Sequence, residues 1–142
     1  MTIRLRSARI ILLGLFAGCL TIAVLLIGMT YLRGVIYGRH LQQLVLAVLS
    51  VYSAPLGTIL GGIFAQRQER DRAASSSAFW IAIVVALIWN LLLLVRVVIF
   101  AAASNDRVDD FTGYLTSVAA ASSFLVVGSL AFYFTKREGT QG

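Results

Sequence analysis

Tyr52, Pro55, Asn90 and Arg96 carry the chemistry that a membrane interior would make conspicuous. They supply a phenol, a proline, a carboxamide and a guanidinium, each inside a long apolar run. Proline has no N–H, so Pro55 releases the carbonyl of Val51 from its helical bond. An ionisable group at membrane depth is a functional-site hypothesis by default, and a ring of arginines favours anions in a pore. These four residues therefore form a candidate polar or pore site. The same residue types also serve structure alone. Hydroxyls and amides hydrogen-bond between membrane helices, and a long arginine reaches back to the interface and an acid such as Asp106, Asp109 or Asp110.

Other reactive groups are sparse. All six carboxylates (Glu69, Asp71, Asp106, Asp109, Asp110 and Glu138) lie outside the apolar runs, where proton-coupled transport would need at least one within them. His40 is the sole histidine and Cys19 the sole cysteine, which excludes a bis-histidine haem, an internal disulfide and a Cys-rich metal site. No HExxH, phosphate loop or nucleophile–base spacing occurs. The expectation is a non-enzymatic protein with no cofactor. Asp109 and Asp110 read as caps of a following helix, not as a cation site.

The elements that must position these groups are four apolar segments, 10–32, 41–65, 78–103 and 111–135. Each exceeds the roughly 20 residues that a helix needs to cross a bilayer core. The composition is 59% hydrophobic and 13% charged, and the segments are apolar all round instead of striped. Backbone groups facing lipid must pair internally, and no short alternating barrel strands appear. The fold class is therefore all-α: an integral membrane protein of four antiparallel transmembrane helices, with no soluble domain. Residues 1–142 make a single four-helix transmembrane domain. Short connections predict an up-down-up-down bundle with consecutive helices as neighbours.

Charge gives the orientation. The net charge is +6, spread over loops and tails, which argues for lipid and against nucleic acid as partner. Arg4, Arg6, Arg9, Arg67, Arg70, Arg72, Lys136 and Arg137 fall on one side of the four spans. Arg33, Arg39 and Arg107 fall on the other. The positive-inside rule places both termini and the 66–77 loop in the cytoplasm. Eleven of the twelve basic residues are Arg, a bias that fits a GC-rich bacterial genome, so the expected location is a bacterial inner membrane. Leu15-Phe16-Ala17-Gly18-Cys19 resembles a lipoprotein cleavage box. However, Phe16 departs from it and the apolar run continues to Leu32, so a retained first span is expected.

Small residues recur at helical spacing: Gly14, Gly18 and Thr21 on the first helix, then Ser50, Ser53, Gly57 and Gly61 on the second. Ala82 and Ala86 follow on the third, and Gly113, Ser117 and Ala120 on the fourth. Helices in lipid associate through close packing and polar contacts, so these are helix-packing candidates, within the bundle in the simplest reading. Thr21, Ser53, Asn90 and Ser122-Ser123 fall near the helix midpoints and predict a shared polar layer. The functional expectation is a helix-packing subunit of a homo-oligomer or larger membrane complex. Its partners would be the lipid bilayer and itself or another membrane protein. The alternative is a homo-oligomeric pore or membrane-permeabilising effector.

Overall fold

Every long apolar run becomes one helix in the computed structural model, which describes residues 3–65, 73–74, 76–102 and 107–135. The helices are α1 (Leu5–Leu32), α2 (Gly38–Ala65), α3 (Ser76–Ala102) and α4 (Val108–Thr135). Each starts before its predicted boundary, because short polar stretches at the ends extend the helix past the apolar core. Ile3–Arg4 (β1) and Ala73–Ala74 (β2) pair antiparallel, Ile3 with Ala74 and Arg4 with Ala73. This ribbon ties the lead-in of α1 to that of α3. Residues 66–72 and 75, between α2 and α3, lie outside the described residues.

The inward residues of α3 show how the sequence builds the core. Phe79, Ala82, Ala86, Trp89, Leu93, Val97 and Phe100 are all buried, at steps of three and four residues. That alternation holds one stripe against neighbouring helices crossing at a shallow angle. α1 repeats it with Leu12, Phe16, Ala23, Ile27 and Thr30.

Helix order departs from the expectation. α1 packs on α2 and α3, and α4 packs on α2 and α3. Around the square the order is therefore α1, α2, α4, α3, with α2 and α3 on a diagonal. Five residues, 33–37, join α1 to α2 in a tight hairpin, and α4 follows α3 after residues 103–107. Ten residues separate α2 from α3. At ~3.3 Å each they can cross a diagonal of roughly 14 Å between helices packed 8–10 Å apart. Consecutive helices remain antiparallel, and α1 with α3, and α2 with α4, are parallel neighbours. Below, the end carrying the N-terminus is proximal and the opposite end distal.

The α1–α2 corner shows why a glycine is needed. Gly34 has φ +71°, in the left-handed region. Its N–H donates to Tyr31 O at 2.9 Å, and the Val35 N–H donates to Thr30 O at 3.1 Å. These two bonds close α1 in a Schellman motif, which a Cβ at this position would strain.

Three stretches are long and apolar enough to cross a membrane: Ser7–Leu32, Gly38–Phe64 and Phe79–Ala102. Only 22%, 33% and 33% of their most apolar windows are buried inside the molecule, so most of each apolar surface needs another apolar medium.

Candidate functional site

The middle of the bundle is filled by three rings from three helices. Phe16 of α1, Tyr52 of α2 and Trp89 of α3 lie with centroids 6.4 Å (Phe16–Tyr52), 5.6 Å (Phe16–Trp89) and 5.2 Å (Tyr52–Trp89) apart. Two of the three pairs are edge-to-face, the favoured aromatic geometry. All three side chains are at most 2% exposed. They lock the diagonal pair α2 and α3 together through α1, and they occupy the space where a pore through a single bundle would run.

The predicted polar layer does not converge. Thr21 and Ser53 are exposed on the outside, and each hydroxyl donates to its own helix: Thr21 to Ala17 O at 2.8 Å, Ser53 to Ser50 O at 2.6 Å. Asn90 is buried, and its Nδ2 donates to Ala86 O at 2.8 Å, again within one helix. The side chains of Ser122 and Ser123 lie outside the description. Bonds back to the same helix satisfy a hydroxyl without a neighbour, so the glue expected between helices is absent at these residues. Tyr52 OH and Asn90 Oδ1 are buried with no hydrogen-bond partner.

The four candidate polar residues are likewise dispersed. Tyr52 is in the aromatic core, and Pro55 is buried three residues further along α2. Asn90 is packed inside the bundle, and Arg96 lies at the α3–α4 seam. The Arg96 guanidinium carbon is 5.2 Å from the Tyr114 ring centroid and 6.0 Å from that of Phe111. Phe111 stacks on Phe100 at 4.3 Å, one turn nearer the distal end than Arg96, so the arginine leans distally. Cation–π contacts of this kind contribute about 0.5–2 kcal/mol and keep the charge near the interface.

The carboxylates lie at the distal mouth. Asp109 and Asp110 are in the first turn of α4, where they complement the positive helix end, instead of preceding it as caps. Asp109 Oδ1 accepts from Gln43 Nε2 at 3.4 Å, which links the starts of α4 and α2. His40 meets Tyr37 edge-on at 6.1 Å. Among the described residues no group of three acids, histidines or cysteines is placed to hold a metal.

Small residues divide into two populations. Ala82 and Ala86 face the core at 2% and 1% exposure. Gly14, Gly18, Ser53, Gly57, Gly61 and Ser117 are exposed. A Cβ built on Gly14, Gly18, Gly57 or Gly61 would meet no atom within 4 Å. The expectation that these stripes pack the bundle from within is thus corrected for all but Ala82 and Ala86. α1 and α2 approach each other along bulkier residues, which leaves both GxxxG pairs on the outside.

Sequence reasoning missed Arg9. Assigned to a tail, it stands in α1 at 4% exposure, and its Nη1 donates to the Gly62 carbonyl of α2. Gly62 lies in the last described turn of α2, which carries no basic residue. The available signal was the last arginine before an apolar run, opposite a helix end with no basic residue in its last described turn.

No protein-family model, no curated protein and no solved structure matches this chain. The reading of its role therefore rests on its own geometry.

Proposed function

We propose that the chain is a four-span protein of a bacterial inner membrane, with both termini cytoplasmic, and that its work is helix packing. In this reading α4 joins the three apolar helices as a span, and the molecule docks in the bilayer to further copies of itself or to a larger membrane complex. It is non-enzymatic and needs no cofactor.

One observation carries the proposal. The residues best suited to close helix contact in lipid, Gly14/Gly18 and Gly57/Gly61, are turned away from the bundle with open space over them. Glycine in a helix interior costs about 1 kcal/mol relative to alanine. Two GxxxG pairs facing only fluid lipid would carry that cost without return, whereas a second helix seated on them recovers it through backbone approach.

The test is the mass of the protein in nanodiscs and its cross-linked products in native membranes, alongside ion leakage from liposomes. A defined oligomer or complex, lost when Gly57 or Gly14 is replaced by Leu, is the expected result. A monomer with no cross-linked neighbour would overturn it. Reproducible ion leakage would instead establish the pore reading, with its path around an oligomer axis because the aromatic core fills the single bundle.

A further inference from the structure

α2 is built in two unequal halves that meet at Pro55. The distal half buries Leu44, Val48, Val51 and Tyr52, each at most 6% exposed. Tyr52 is held in the aromatic triad, and Gln43 is tied to Asp109. Beyond Pro55 in α2, Ile59 is the one fully buried hydrophobic side chain among the described residues, and Leu56 and Ile63 pack partly buried against the core. Gly57 and Gly61 have open space over them, and Leu60 and Phe64 point outward. At the junction, proline supplies no N–H for the Val51 carbonyl, so the hydrogen-bond ladder is broken where the packing density changes.

A polar contact ties the more thinly packed half to α1 near its far end. Arg9 of α1 donates to the Gly62 carbonyl, 53 residues away in sequence. The contact places a cation near the C-terminal, negative end of the described α2 helix. Arg9 itself stands on a fixed post. Ala8 and Leu12 beside it are fully buried, and the β1–β2 ribbon anchors the start of α1.

We propose that residues 56–65 of α2 form an arm hinged at Pro55 and latched to α1 by Arg9. The latch sets the position of the arm, and the hinge lets it swing without disturbing the aromatic core. Because the arm carries Gly57 and Gly61, its swing re-aims that surface. The device stands on the packing of a single chain, whatever docks there.

The experiment measures two distances by pulsed electron spin resonance, in liposomes, on the full chain with Cys19 replaced by alanine. The proximal pair labels Ile10 and Phe64, and the distal pair labels Leu25 and Leu46; all four are exposed. With Arg9→Leu, the proximal distribution should shift or broaden by about 5 Å, the reach of a ~15 Å arm turning by roughly 20°. The distal distribution should stay as in the parent, and Arg9→Lys should keep the proximal one narrow. Adding Pro55→Ala to Arg9→Leu should restore the narrow proximal distribution. An unchanged proximal distance in Arg9→Leu removes the latch. Persistent breadth after Pro55→Ala removes the hinge. Equal broadening of both pairs shows that Arg9 supports the whole fold, and overturns the device.

Discussion

α2 and α3 traverse the same bundle and face each other across its diagonal, yet they present opposite surfaces. Inside they are matched: each contributes a large aromatic side chain to the core, Tyr52 from one and Trp89 from the other. Outside, α3 displays Trp80, Ile81, Val84, Leu87, Ile88, Leu91, Leu92, Val95, Val98 and Ile99, a continuous bulky face. The corresponding face of α2 is broken by Ser50, Ser53, Ala54, Gly57 and Gly61. Fluid lipid accommodates the first surface readily and gains nothing from the second. Two helices can thus share one inner code while their outer residues answer to different surroundings.

The largest effect should come from the matched interior. Trp89→Ala and Tyr52→Ala each remove a buried ring from the triad and leave a cavity, for a loss of about 3–5 kcal/mol. Unfolding of the purified protein by denaturing detergent should register both, with similar midpoints. A large loss for one and little for the other would break the inner symmetry between α2 and α3, and would show that one helix alone carries the core.

Next comes the contrast between the outer faces. A Cβ at Gly57 would meet no atom within 4 Å and the position is exposed, so with Gly57→Leu the isolated bundle should fold at least as well as the parent, helped by the better helix propensity of leucine. Association should fall at least tenfold, or about 1.4 kcal/mol, because a side chain now stands where a backbone must approach. Leu91→Phe on the bulky face of α3 should alter neither property. Equal losses of association in both variants would mean that the faces are not specialised.

These surfaces were only partly legible from residue types. Carboxylate-free apolar segments long enough to span a bilayer located the helices to within a few residues. The 3–4 spacing of inward positions was present too, but in segments apolar on every side it does not stand out from the background. Periodicity groups Gly57 with Gly61 on one face; it cannot say whether that face turns toward α1 or toward lipid, since both surroundings are apolar. Helix order was hidden for a related reason. A ten-residue connection permits either an adjacent or a diagonal partner, and the choice is made by the rings of Phe16, Tyr52 and Trp89, which meet only once the chain has folded. Arg9 was misplaced because a charge beside an apolar run reads as its boundary, whereas this one is satisfied by the end of a neighbouring helix.

Smaller effects test the orphaned polar atoms of the two inner faces. Asn90 Oδ1 and Tyr52 OH are buried without hydrogen-bond partners. The Ala86 carbonyl that receives Asn90 Nδ2 already lies in the helical ladder, so Asn90→Leu strands no group. Removing an unsatisfied buried polar atom recovers part of its desolvation cost, so Asn90→Leu and Tyr52→Phe should each raise stability, by about 1 kcal/mol. Loss of stability in both would show that these atoms have a partner in the membrane-embedded protein, and would return the mid-bundle polar residues to functional candidacy.

The smallest expected effect is the most selective. The Ser53 hydroxyl donates to Ser50 O within α2 and faces outward, so Ser53→Ala should leave the stability of one bundle within about 0.5 kcal/mol of the parent. If the α2 face meets another helix, that hydroxyl can turn to a partner, and its removal should weaken association by about 0.6 kcal/mol, nearly threefold. Val84→Ala, a comparable truncation on the outer face of α3, should leave association unchanged. Measured as dimer fractions across a dilution series in lipid, a deficit confined to Ser53→Ala ties the polar interruptions of α2 to contact between proteins. Equal behaviour of the two variants would make the serine a residue that lipid tolerates and nothing reads, and would leave the glycines alone to distinguish one face from the other.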